Sequence, residues 1–150
     1  MNKRLTEIIN RLNEKYGLFT DPTLNYEKPH ELLIATILSA QCTDERVNQI
    51  TGNLFKKYPS VEAFADADIK ELETDIHSAG FFHSKALHIK EACRVLHENF
   101  KDQVPSDIDA LTSLPGVGRK TANVVRTHVF HIPSVVVDTH VKRISGKLGF

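Results

Sequence analysis

The sequence predicts an all-α fold, and three observations carry that expectation. Apolar residues recur at three- and four-residue spacing in nearly every segment, the period of an amphipathic helix. The breaks between segments place Ser, Thr or Asp where helices start and Gly or Pro where they stop. Only "SVVV", residues 134–137, reads as extended, so strand content is expected to be close to nil.

The elements follow in order. "RLTEIINRLNEKYG" sets Leu5, Ile8, Ile9 and Leu12 on one face and closes at Gly17, a C-cap candidate. "DPTLNYEKP" reads as a loop. "PHELLIATILSAQ" opens with Pro29 at a first-turn position and is apolar on almost every side, which predicts a central, buried helix. Thr43 caps "DERVNQITGNLFKKY", whose acids lie in the first turn and whose Lys56 and Lys57 lie in the last, as the helix dipole favours. Ser60 and Asp68 read as caps of two short helices. "SKALHIKEACRVLHENF" gathers Ala86, Ile89, Ala92, Cys93, Leu96 and Phe100 on one face. After "VP", "SDIDALTSL" is a short helix capped by Ser106, followed by the turn "PGVG" and a second helix, "RKTANVVRTHVF". Pro133 ends that helix, and Asp138 caps a last one, "DTHVKRISGKLGF".

A chain of 150 residues suffices for one domain with a real core, or for one domain and part of another. No stretch approaches the roughly 20 apolar residues of a membrane span, and the N-terminus lacks the apolar core of a signal peptide. Cys42 and Cys93 stand apart from any C-x-x-C pair, as expected of reduced thiols in a cytoplasmic protein. His128, His131 and His140 read as scattered surface histidines rather than a zinc site.

The net charge is zero, but it is unevenly spread. From Leu114 onward there are six cations (Arg119, Lys120, Arg126, Lys142, Arg143 and Lys147) against one acid, Asp138, a net +5 that the first 113 residues balance. A local basic surface of this kind can bind phosphates whatever the total charge.

The segment "LTSLPGVGRKTANVV" holds the most chemistry. Two short helices joined by "LPGVG" make a helix-hairpin-helix unit, at about residues 106–129. Gly116 and Gly118 are expected to allow positive φ and close backbone approach, leaving amides aimed outward at the start of the next helix. Those amides and the positive end of the dipole suit a DNA phosphate, with Arg119 beside them. A tight turn with no ligand is the plainer alternative. Lys120 sits in the first turn, the end of a helix that disfavours a cation, and Arg119 adds like-charge repulsion. Both favour an amine free to attack as a nucleophile, although phosphate binding alone would also use a cation here. The helix from Arg119 to Val129 carries the chain about 16 Å away, and the extended residues 131–137 can return it roughly 23 Å. Asp138 can therefore come back to Lys120; as a helix N-cap its carboxylate would be rigidly aimed and ionised at neutral pH.

"LPGVGRKTANVV" followed by "VDTHVKRIS" closely resembles the helix-hairpin-helix DNA glycosylases, specifically the endonuclease III group. "LLIATILSAQCTD" and "AGFFHSKA" resemble that group's earlier segments, so the likeness runs from about Lys28 to Phe150. The resemblance implies a helix-hairpin-helix glycosylase fold: a six-helix domain over 22–132, with 1–21 and 133–150 contributing to a second domain left incomplete in this chain. It implies excision of oxidised pyrimidines from double-stranded DNA and β-elimination at the abasic site through a lysine imine. Lys120 would be the nucleophile, and Asp138 would activate it or stabilise positive charge on the sugar. Gly116, Gly118 and Arg119 would hold the DNA backbone, Gln41 would fill the gap left by a flipped base, and Phe81 would be the wedge, where the group commonly has leucine. The group usually carries a [4Fe-4S] cluster on four cysteines. Cys42 and Cys93 match none of them, so no bound cluster is expected here. A monomer, located in the cytoplasm and on the nucleoid through DNA, completes the implication. The rivals are a non-catalytic helix-hairpin-helix DNA-binding module and an inactive fragment; the pairing of Lys120 with Asp138 argues against the first.

Overall fold

The computed structural model describes residues 3–17 and 23–149. Asp21 and Pro22 of the expected first loop, and the terminal Phe150, lie outside the described residues. The described residues form nine α-helices and one 3₁₀ turn and contain no strand. The helices are α1 (Lys3–Tyr16), α2 (Pro29–Leu38), α3 (Asp44–Lys57), α4 (Val61–Ala65), α5 (Ile69–Asp75), α6 (Phe82–Phe100), α7 (Ile108–Thr112), α8 (Arg119–Phe130) and α9 (Thr139–Leu148); the 3₁₀ turn covers His77–Ala79, between α5 and α6. Residues 29–130 thus hold seven α-helices, against the six expected.

Helix α2 is the axis of the bundle. Its residues from Leu32 to Leu38 are all buried, and it packs on α3, α6 and α8. An all-round apolar surface leaves such a helix no stable place except the centre. Helices α4 and α5 cover α6, whose Ala86, Ile89, Ala92, Cys93 and Leu96 face inward; Phe100 is half-buried. Phe64 is fully buried, 5.1 Å from the Tyr58 ring centroid and edge-on to Phe55 at 6.4 Å.

Caps set most of the boundaries. The side chains of Thr43, Ser60, Asp68 and Asp138 each accept a hydrogen bond from a backbone amide of the first turn that follows. Two expectations need correction. Asp107, and not Ser106, caps α7: its carboxylate accepts from the Ala110 amide at 2.8 Å, and a charged acceptor outcompetes the neighbouring hydroxyl. Helix α6 begins at Phe82, two residues before the expected start.

Residues 131–138 form an extended strap that pairs with no strand and instead runs back along α8. The Ser134 hydroxyl donates to the Asn123 carbonyl at 3.1 Å and shares a 2.6 Å hydrogen bond with Thr127. Asn123 Nδ2 donates to the Val135 carbonyl at 3.4 Å. The strap is launched by His131, whose left-handed backbone (φ 53°) closes α8 before Pro133 is reached. Helices α1 and α9 bury no residue; Arg4 donates from Nη2 to the Leu148 carbonyl at 3.2 Å, which links the two.

A candidate nucleic-acid interface and its lysine–carboxylate pair

The hairpin is built on a type II turn. The Val117 amide donates to the Leu114 carbonyl at 3.1 Å, with Pro115 second in the turn and Gly116 third at φ 76°. That position needs positive φ, which glycine supplies without steric cost. Gly116 also lies against α6. A Cβ built there would sit 2.7 Å from His88 Cβ and 2.9 Å from His88 Cγ. The clash is with the root of the histidine, which a change of rotamer cannot move away. We therefore expect Gly116→Ala to cost about 2–4 kcal/mol, adding left-handed strain to overpacking, and to show as a lowered urea midpoint.

Gly118 departs from the expectation of positive φ. Its φ is −88°, ordinary extended backbone, because it serves as the N-cap of α8 and N-caps take β-region dihedrals. A Cβ at Gly118 would meet nothing within 4 Å. The open side of Gly118 adjoins first-turn amides that no side chain caps, whereas α3, α4, α5, α7 and α9 each carry a side-chain cap. An uncapped helix start with no Cβ beside it accepts an anion at close range.

Arg119 and Lys120 are both exposed on this first turn. The strap returns Asp138 to the same end of α8, because the contacts of Ser134 and Val135 with Asn123 place the next residues alongside Lys120. Asp138 is the α9 N-cap, its Oδ1 accepting from the Val141 amide at 2.8 Å. That hydrogen bond, above all, holds its carboxyl below the usual carboxylate range; the His140 amide and the positive charge of Lys120 push the same way, and partial burial pushes against them. The carboxylate is therefore ionised at neutral pH, rigid, and within electrostatic reach of Lys120. No direct ion pair joins the two.

Gln41 and Phe81 lie on the adjoining face. Both are exposed, Phe81 by 67%, and both are left-handed although neither is glycine, with φ of 52° and 48°. The Phe81 ring is thus held outward on strained backbone rather than packed in the core. A cleft of about 300 Å³ separates them and is also lined by Lys85, His88 and Gly116. The site residues predicted from sequence thus fall into two groups. Gln41, Phe81 and Gly116 share the cleft, while Gly118, Arg119, Lys120 and Asp138 gather at the start of α8, one turn beyond Gly116. Sequence reasoning missed His88, the floor on which the hairpin rests, and the buried Lys85. The signal for Lys85 was available: it stands four residues before Ile89 and seven before Ala92, on the apolar stripe of α6.

The cysteines do not fit a cluster. Cys42 is half-buried after α2, while Cys93 is buried in α6 with its thiol pushed up to about 12 by burial, so it stays protonated. Among the described residues no group of three or more His, Cys, Asp or Glu could hold a metal ion.

An all-helical bundle that offers an uncapped Gly-x-Gly hairpin, a nearby lysine–carboxylate pair and two strained outward side chains defines a helix-hairpin-helix protein shaped to hold a nucleic-acid backbone and act on it. The profile of the HhH-GPD superfamily of base excision DNA repair proteins matches residues 34–150, and the chain belongs to that family. It is 53% identical over 148 residues to the endonuclease III of Synechocystis sp., covering 98% of this chain and 67% of that protein. Its fold matches a solved non-covalent endonuclease III–DNA complex with a TM-score of 0.92 at 41% identity, covering 99% of this chain and 70% of the other. A trapped covalent endonuclease III–DNA intermediate matches with a TM-score of 0.91, also at 41% identity over 99% of this chain and 70% of the other. The chain spans about two thirds of the length of these relatives.

Proposed function

We propose that this chain is a base excision repair glycosylase and abasic-site lyase that acts on oxidised pyrimidines in duplex DNA, with Lys120 as nucleophile and Asp138 as its carboxylate partner. The observation that carries the reading is the return of an ionised, amide-anchored Asp138 to the helix start that bears Lys120. Phosphate binding alone has no use for that carboxylate, which would repel the backbone. The non-catalytic module is therefore disfavoured.

The chemistry follows from the placement. The uncapped α8 amides and Gly118 take a backbone phosphate, fixing the strand without reading its sequence. Arg119 adds a charge-assisted contact to the phosphate. The damaged nucleotide leaves the stack, Gln41 occupies the vacated space, and Phe81 wedges into the duplex. Asp138 accepts a proton from the Lys120 ammonium, and the freed Nζ lone pair attacks C1′ of the deoxyribose. The C1′–N bond breaks and its electron pair leaves with the base, which is protonated as it departs. Asp138 hands that proton to the departing base, and the carboxylate so regenerated stabilises positive charge building on the sugar. Ring opening gives an imine between Lys120 and C1′; loss of a C2′ proton then expels the 3′ phosphate by β-elimination. Water finally hydrolyses the imine and restores the lysine.

The reading extends to organisation: residues 22–132 form the hairpin-bearing domain, while 1–21 and 133–150 belong to a second one. The protein works as a monomer in the cytoplasm, held on the nucleoid by DNA. No helix among the described residues is long and apolar enough to cross a membrane. The two cysteines supply no cluster site, and no step passes through one.

The test is an oligonucleotide duplex carrying one thymine glycol, resolved on a denaturing gel. The reading predicts base release and a strand break whose 3′ end is an unsaturated aldehyde, without added metal. Base release that leaves an intact abasic strand would remove the lyase half of the proposal. Failure to release any base while abasic DNA is cut would remove the glycosylase half.

A further inference from the structure

Lys85 is a buried cation that the chemistry above does not use. It is 4% exposed, in the first turn of α6 where the helix dipole disfavours positive charge, and burial pushes its pKa below the ordinary lysine value. A lysine persists in such a place only when its protons are taken up. Here Nζ donates to the Leu38 carbonyl at 2.8 Å and to the Ala79 carbonyl at 2.9 Å. Leu38 is the last residue of α2, whose carbonyl end attracts a cation, and Ala79 closes the 3₁₀ turn.

Those two carbonyls stand just before the two outward side chains. Gln41 follows Leu38 by three residues and Phe81 follows Ala79 by two. Each is left-handed without being glycine, and such backbone persists only where its surroundings over-determine it. Among the described residues Lys85 is the one side chain hydrogen-bonded to both loop bases, and it lines the cleft between Gln41 and Phe81.

We propose that Lys85 is a positioning residue that staples the Gln41 loop to the Phe81 loop and fixes the spacing at which the two side chains enter an opened duplex together. This rests on Gln41 and Phe81 being the insertion residues. Without the staple the hairpin would still hold phosphates, but the pair would no longer meet the gap as a unit. The property at stake is preference for a gapped duplex over an intact one.

The test measures binding of the full chain to two fluorescent duplexes by anisotropy: one undamaged, one with a tetrahydrofuran abasic analogue. The analogue cannot form an imine, so the result is independent of whether Lys120 is the nucleophile. Parent, Phe81→Ala, Lys85→Met and the double variant are compared through the ratio of the two affinities. We expect Lys85→Met to lower the parent's preference for the analogue at least tenfold, the double variant to fall no further than Phe81→Ala alone, and Lys85→Arg, which keeps donors for both carbonyls, to restore most of the preference. A general packing fault weakens both duplexes in proportion and leaves the ratio as in the parent; that result overturns the proposal, as does additivity in the double variant. If Lys85→Met does not fold, Lys85→Gln, which keeps a buried donor, is read by the same ratio. A parent with no preference for the analogue would remove the insertion reading and this proposal with it.

Discussion

Lys120→Ala is expected to abolish the covalent adduct that borohydride traps between this protein and an abasic-site duplex, a loss of roughly a thousandfold or more in rate, as removing a nucleophile produces. The structure makes the substitution clean. Lys120 is exposed in the first turn of α8 and makes no hydrogen bond or ion pair there. Alanine is the best helix former, and removing a cation from a helix start relieves an unfavourable dipole interaction. The variant should therefore melt no lower than the parent, and a missing adduct cannot be put down to a collapsed hairpin. An adduct formed at the parent's rate would mean that another amine attacks.

Asp138 carries the second large effect, and two substitutions separate its two roles. Asparagine caps a helix about as well as aspartate but carries no charge. Asp138→Asn should keep the hydrogen bond to the Val141 amide and a near-parental melting temperature while the trapping rate falls about a hundredfold, the scale of a lost proton acceptor. Asp138→Ala should lose the cap as well and melt lower. The pH dependence has a definite sign. Because the folded carboxyl titrates below its unfolded value, its contribution to stability is complete above the unfolded pKa of about 3.9 and disappears as pH falls through the folded value. Melting temperatures from pH 7 down to pH 2.5 should therefore show an acid-side loss in the parent that is smaller in Asp138→Asn. Full trapping by Asp138→Asn would reduce this carboxylate to a cap.

Much of the fold was legible because its signals are local. Thr43, Ser60 and Asp68 cap helices by reaching amides three residues on, and α2 announces its central place by being apolar on every side. The turn at Leu114–Val117 was legible too, since Pro115 then Gly116 is the order a type II turn demands. What could not be read is set by contacts distant in sequence. The left-handed backbone of Gln41 and Phe81 has no composition signal, because neither residue prefers it; surroundings built from α2, the 3₁₀ turn and α6 impose it. Gly118 read as a twin of Gly116, yet one glycine is required by φ and by His88, and the other by what approaches from outside. For Lys85 the burial was legible from its place on the apolar stripe of α6, but its carbonyl partners were not, one of them being 47 residues away. The roles proposed for Gln41 and Phe81 come from the resemblance, and the structure adds that both have left-handed backbone and line one cleft.

The proposed chemistry belongs to one particular amine, and mapping the trapped adduct identifies it. The protein would be reduced onto an abasic duplex with borohydride, digested with nuclease and protease, and the modified peptide sequenced by mass spectrometry. A single deoxyribose-derived modification is expected on Lys120, within the peptide that begins at the hairpin. Modification at Lys142, at Lys85 or at the N-terminal amine, with Lys120 untouched, would contradict it.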